Sequence, residues 1–128
     1  MTAWLTPDWF DRVRVLAAEL PARPGRSGRI QQQVTGGPDG DVAYYWVLED
    51  GRPTSAAAGT VDAPDVTLSL SWSDAAAVQA GTLDPSVAFM QGRMKVAGSM
   101  GLALELLSGA REPERVELHR QVAELTDF

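Results

Sequence analysis

Cysteine is absent from the 128 residues, histidine occurs once and lysine once. Without thiolates there is no zinc ribbon, iron–sulfur cluster, catalytic thiol or redox dithiol, and one imidazole leaves too little for a histidine-rich metal site. No disulfide staple is needed, because a chain of this length buries roughly two-thirds of its unfolded surface on folding. Long apolar runs are missing too, so nothing is built to span a bilayer. The first twenty residues mix Trp4, Trp9 and Phe10 with Asp8, Asp11, Arg12 and Arg14, where a secretory leader would place an unbroken apolar stretch. The expectation is one domain over 1–128, cytoplasmic, without cofactor or integral membrane segment.

Positive charge is also scarce: eleven Lys and Arg face seventeen Asp and Glu, a net charge of -6. That balance argues against a nucleic-acid partner, which would call for a basic patch. Net negative charge concentrates in residues 35–90, where one Arg faces eight acids, and a single-sign face reads first as solvated surface.

What is present is strongly patterned. Thr6-Pro7-Asp8 has the order of an N-cap, a first-turn proline and a first-turn acid, and Trp9, Phe10, Val13, Leu16, Ala17 and Leu20 then share about 120° of a helical wheel. A one-sided helix over 6–20 is predicted, stopped by Pro21. From 29 to 35, Ile30, Gln32 and Val34 alternate with Arg29, Gln31, Gln33 and Thr35, the pattern of a strand with one face in water. A turn at 36–40 leads to the stronger strand VAYYWVLE over 42–49; Asp50-Gly51 signals a hairpin, and 53–60 reads as a weak edge strand. Val66, Leu68, Leu70 and Trp72 alternate toward the core. Residues 29–72 are therefore expected to form an antiparallel meander, one face of which needs helices. Segments 73–81, 84–92 and 99–109 each open on a capping residue and close on a glycine, with a strand at 93–97 between the last two. A final helix over 114–125 carries a narrow stripe of Leu118, Val122 and Leu125.

Around residue 100 the pattern bears on function. Met100, Leu102, Ala103, Leu104, Leu106 and Leu107 cover about 200° of a wheel, against the 100° or somewhat more that a helix resting on one sheet requires. The excess faces either a second helix or an apolar ligand. Met90, Met94 and Met100 cluster beside Phe89, and methionine suits surfaces that adapt to varied apolar shapes, although it also fills cores. Catalytic material is thin. His119, beside Arg120 in a charged helix, reads as a surface residue; Asp65, Asp74 and Asp84 sit at turns and caps; and no nucleophile elbow, phosphate loop or His-Glu-x-x-His occurs. Tyr44 and Tyr45 supply no convergent acid–base pair, so an enzyme is not expected.

Residues 65–107, DVTLSLSWSDAAAVQAGTLDPSVAFMQGRMKVAGSMGLALELL, resemble the C-terminal half of the sterol carrier protein 2 family of lipid-transfer domains. The features that carry the resemblance are Val66-Thr67-Leu68-Ser69-Leu70, Ser73-Asp74, Leu83-Asp84-Pro85, Ala88-Phe89-Met90-Gln91-Gly92-Arg93-Met94-Lys95-Val96 and Gly98-Ser99-Met100-Gly101-Leu102-Ala103-Leu104. It implies an α+β fold: a mixed, mostly antiparallel five-stranded sheet with helices packed on one face. It also implies a hydrophobic tunnel for fatty acids, acyl-CoA esters, sterols or phospholipids. By position, Val78, Phe89, Met90, Gln91, Met94, Met100, Leu104 and Leu107 are the expected lipid-binding residues, with Gln91 at the head group. Binding would then be by burial alone, each methylene contributing about 0.8 kcal/mol. The chain ends in Thr126-Asp127-Phe128 instead of the family's peroxisomal tripeptide, and its last helix is placed either to cap or to fill the tunnel. The alternative function is a closed scaffold or dimerisation domain filled by its own side chains.

Overall fold

A computed structural model describes all residues, 1–128. Local signals place the first elements. Helix α1 spans Pro7–Ala17; Thr6 is its N-cap, its hydroxyl accepting from the Trp9 amide at 3.4 Å. Trp9, Phe10, Val13 and Ala17 form the buried side. The helix is shorter than the predicted 6–20, because Glu19 and Leu20 donate three residues back, to Leu16 and Ala17, and the chain tightens and turns away. Leu20 stays buried beyond its end.

The main sheet has five strands: β2 (Gly28–Gly37), β3 (Gly40–Glu49), β4 (Arg52–Ala58), β5 (Val66–Ser71) and β6 (Lys95–Gly98), in the spatial order β4-β3-β2-β5-β6. A two-residue strand β1 (Thr2–Ala3) lies apart from them. The β3–β4 hairpin turns on Asp50 (φ 51°) and Gly51 (φ 84°), the left-handed pair that a type I′ turn requires. The expected continuous meander, however, stops at β4. The chain crosses the sheet and β5 pairs parallel with β2, Ile30 opposite Val66 and Val34 opposite Leu70. Alternation of side chains looks the same whichever neighbour a strand chooses, so only the assembled sheet decides this. Trp72 opens a helix instead of closing β5, because the cap is Ser71, whose hydroxyl accepts from the Asp74 amide.

Ile30, Val34, Tyr44, Leu48, Val66 and Leu70 give the sheet one buried apolar face. Trp9 and Phe10 of α1 meet Trp46 and Tyr44 there, with ring centroids 5.8–6.0 Å apart in tilted and edge-on geometry. The other face is not wholly in water. The crossover after β4 passes over Gln31, which is 3% exposed; its amide donates to the Tyr44 and Gly59 carbonyls at 3.0 and 3.1 Å and accepts from the Val61 amide at 2.9 Å.

Four helices complete the apolar side: α2 (Trp72–Ala80), α3 (Pro85–Met90), α4 (Met100–Gly109) and α5 (Pro113–Leu125). Asp84 caps α3 through the Ser86 and Val87 amides, and Ser99 caps α4 through that of Leu102. Gly109, expected just past the end of α4, lies inside it against the Arg26 guanidinium, and Ala110 is the C-cap. Thr126–Asp127, strand β7, pairs parallel with β1, so the two chain ends are joined.

Candidate functional site

The helices do not seal the apolar face completely. A small pocket of about 220 Å³, open to solvent, forms an inner cavity on the sheet side of α5 and is lined by α1 (Trp9, Val13), β3 (Trp46), α2 (Val78, Gln79), α4 (Leu106) and α5 (Arg115, Leu118, Val122). An outer cleft of about 760 Å³ lies between the α2–α3 turn (Leu83, Asp84, Pro85), Arg111 after α4, and the other side of α5 (Val116, Arg120, Ala123, Glu124). Ala110 and His119 border both spaces. His119 is half-buried and its Nε2 lies 2.8 Å from the Gln79 carbonyl of α2. It is therefore not the surface residue its charged neighbours suggested. It stands three residues before Val122 and so flanks the apolar stripe of α5.

Helix α5, expected either to cap or to fill the tunnel, is tied at both ends. At its N-terminus Glu112 receives Arg26 Nη1 and Nη2 at 2.9 and 3.0 Å and Arg23 Nε at 3.3 Å. Hydrogen bonds from Arg26 first, then the positive charges of Arg26 and Arg23, hold the Glu112 carboxyl down at about 2. Arg26 has only 9% of its side chain exposed and depends on this pairing. At the C-terminus Thr126 Oγ1 accepts from Trp9 Nε1 at 2.8 Å and donates to the Val122 carbonyl at 2.5 Å, both in buried surroundings. None of Arg23, Arg26, Glu112 or Arg115 stood out in the sequence, since they are scattered and match no motif.

Of the residues expected to bind lipid, Val78 lines the inner cavity. Phe89 and Leu107 are half-buried against the main core, and Met94, 5% exposed, belongs to it. Met90 is 72% exposed, Leu104 51% and Met100 45%; Gln91 is exposed and its side-chain Oε1 accepts from Arg93 Nη1 at 3.1 Å. The structure thus does not bring these eight to one surface. The wide apolar arc of α4 divides: Leu102, Ala103 and Leu106 pack toward Ile30, Leu48 and Val66, and Leu106 also reaches the cavity, while Leu104 faces out. Trp9, Val13, Trp46, Leu106, Leu118 and Val122, missed as wall residues, were visible only as apolar stripes.

Tyr44 and Asp74 are committed to structure. Burial pushes the Tyr44 phenol well above its usual range, keeping it neutral. Hydrogen bonds from Arg93, at 2.6 and 3.2 Å, hold the Asp74 carboxyl below the ordinary carboxylate value. No three His, Asp or Glu side chains gather as metal ligands would, and no helix is long and apolar enough to cross a membrane.

The sequence model of the SCP-2 sterol transfer family matches residues 16–108. Sterol carrier protein 2 of Rattus norvegicus is 34% identical over 86 residues, which is 67% of this chain and 16% of that protein. The chain thus spans about one-sixth of the length of that relative. Among solved structures, a crystal structure of sterol carrier protein 2 superposes with a TM-score of 0.73 at 23% identity, covering 94% of this chain and 99% of the other. The palmitated SCP2L2 of Aedes aegypti, solved by NMR, superposes at 0.65 with 23% identity over 81% of this chain and 92% of that one. These likenesses show the fold: an α+β domain with a mostly antiparallel five-stranded sheet.

Proposed function

The chain belongs to the SCP-2 sterol transfer family, a family of lipid binding and transfer, and from there we propose that it carries one apolar, lipid-like molecule between α5 and the sheet and releases it unchanged. The ligand classes are those of the family resemblance: a fatty acid, acyl-CoA ester, sterol or phospholipid. One observation carries this reading: an apolar inner cavity meets a larger cleft along a shared boundary of Ala110 and His119. The inner space alone is below the roughly 300–1,000 Å³ of ligand sites, so a long ligand extends into the cleft as His119 swings aside. The palmitated relative supports the same use of the fold. Val78 forms the wall, Phe89, Met94 and Leu107 back it, and Met90, Gln91, Met100 and Leu104 meet a ligand only once α3 and α4 shift. Without a convergent acid–base set, the site holds its cargo and does no chemistry on it.

A second reading, a closed scaffold, is favoured by Leu118, Val122 and Leu125 of α5 packing into the same core that a ligand would occupy. Mass spectrometry of lipid extracted from the purified protein, followed by titration of the delipidated protein with a fluorescent fatty acid, separates the two. Co-purified lipid and saturable one-to-one binding are expected. The absence of both would sink the carrier reading and favour the scaffold.

A further inference from the structure

Three arginines converge where α4 passes into α5. Arg23 and Arg26 come from the segment after α1, and Arg115 from the first turn of α5. Glu112 is occupied by Arg26 at 2.9 and 3.0 Å and by Arg23 at 3.3 Å. Arg115 keeps the poorest share: its Nε stands 3.7 Å from Glu112 Oε1, outside hydrogen-bond reach, and its Nη2 donates to a neutral acceptor, the Gly51 carbonyl. The nearby acids Glu105 and Glu114 are about half exposed and pair with Arg26 and Arg23 at 3.5 and 3.9 Å. Arg115 itself is 22% exposed and borders the inner cavity beside Leu118 and Val122. A half-buried cation with two like-charged neighbours, sharing one carboxylate with both, therefore stands at the edge of a mostly apolar pocket. Burial first, then repulsion from Arg26 and Arg23, pulls its pKa below the ordinary arginine value, although a guanidinium stays charged in a protein. Each of those penalties is relieved by one more anion.

We propose that Arg115 anchors the carboxylate of an anionic amphiphile whose hydrocarbon chain lies in the inner cavity. This rests on the carrier reading and narrows it. The planar guanidinium fork matches a carboxylate, and the ion pair is strengthened where water is partly excluded. A neutral alcohol of equal length gains the same burial without the ion pair, so the site distinguishes acids from alcohols and sterols.

Decanoate and decan-1-ol are titrated by calorimetry into the delipidated full chain at pH 7.5 and low ionic strength, for the wild type, Arg115→Met and Arg115→Lys. Methionine keeps the apolar stem and lysine keeps the charge. The wild type is expected to prefer decanoate. Arg115→Met should lose about tenfold in decanoate affinity, the equivalent of one charge-assisted bond of about 1.4 kcal/mol, with decanol unchanged, and Arg115→Lys should keep most of the preference. Equal losses for acid and alcohol, or no loss, would overturn the anchor while leaving the carrier reading standing. Binding of neither ligand to the wild type would overturn both. If Arg115→Met does not fold, salt decides on the wild type: decanoate affinity should fall with ionic strength and decanol affinity should not, and a salt-independent decanoate affinity refutes the anchor.

Discussion

Thr126→Val tests how α5 is held over the cavity. Valine matches threonine in shape, so the change removes one hydroxyl and little else. That hydroxyl makes two buried hydrogen bonds, accepting from Trp9 Nε1 at 2.8 Å and donating to the Val122 carbonyl at 2.5 Å, and Thr126 is 3% exposed. The indole N–H is the costlier loss. Trp9 is 1% exposed, no water reaches the vacated partner, and an unsatisfied buried donor costs about 1–3 kcal/mol. Burying an extra methyl returns part of this, since apolar area removed from water contributes about 25 cal/mol per Å². The net expectation is about 2 kcal/mol, and in a chain of this size each kcal/mol lowers Tm by about 3–5 °C, so the melt should fall by roughly 6–10 °C. Urea unfolding of Thr126→Val, Trp9→Phe and the double variant measures it. Once Trp9 has no donor, the threonine change should cost about 1 kcal/mol less, the coupling expected of two groups in direct contact. A Thr126→Val penalty below about 0.5 kcal/mol, or an equal penalty in both backgrounds, would refute the claim that this bond clamps the C-terminal helix.

Other outcomes follow from the same geometry. The Glu112 carboxyl is held at about 2 against an ordinary 4.5, so its stabilisation is complete above about pH 4.5 and is lost as pH falls toward 2. The gap in Tm between the wild type and Glu112→Gln should therefore close over that window, and a pH-independent gap contradicts the ion pair. Gly98→Ala should cost about 2 kcal/mol or more in a urea titration, because Gly98 has φ 93° and an added Cβ would stand 2.5 Å from the Asp65 carbonyl oxygen; a neutral result would show that β6 can slide. Gln31→Leu strips side-chain partners from Tyr44, Gly59 and Val61, for about 1–3 kcal/mol, and hydrogen exchange should quicken at the Val61 amide before the rest of the sheet. Val78→Phe places a ring in the inner cavity and should weaken fatty-acid binding severalfold while melting near the wild type; unchanged affinity would locate the ligand elsewhere.

Elements built from neighbouring residues are legible in the sequence itself. The Thr6 cap, the buried stripe of α1, the Asp50-Gly51 hairpin and the Asp84 and Ser99 caps follow from short-range stereochemistry and hydrogen bonding. Elements that depend on what lies opposite are not. Gln31 has the alternation of a water-facing residue, and it is buried because residues 59–61 cross above it. His119 has the neighbours of a surface residue, and it is half-buried because α5 leans its flank on Gln79. Met90, Met94 and Met100 look alike in sequence. Met94 is core, Met90 largely exposed and Met100 about half exposed, since α3 is less than two turns long and the turns around it set where each side chain lands.

By itself the sequence settled what the chain can offer: no thiol, one imidazole, a helix–strand–helix order, and enough likeness over 65–107 to indicate a lipid-transfer fold. Those properties are carried by residue identity and by spacing along the chain. The tertiary structure decided the parallel pairing of β5 with β2, the joining of the two chain ends through β1 and β7, and the convergence of Arg23, Arg26, Glu112 and Arg115 at one corner of a cavity. Each joins residues distant in the chain, and such partners are chosen by the burial and charge of the assembled whole, which no local pattern encodes.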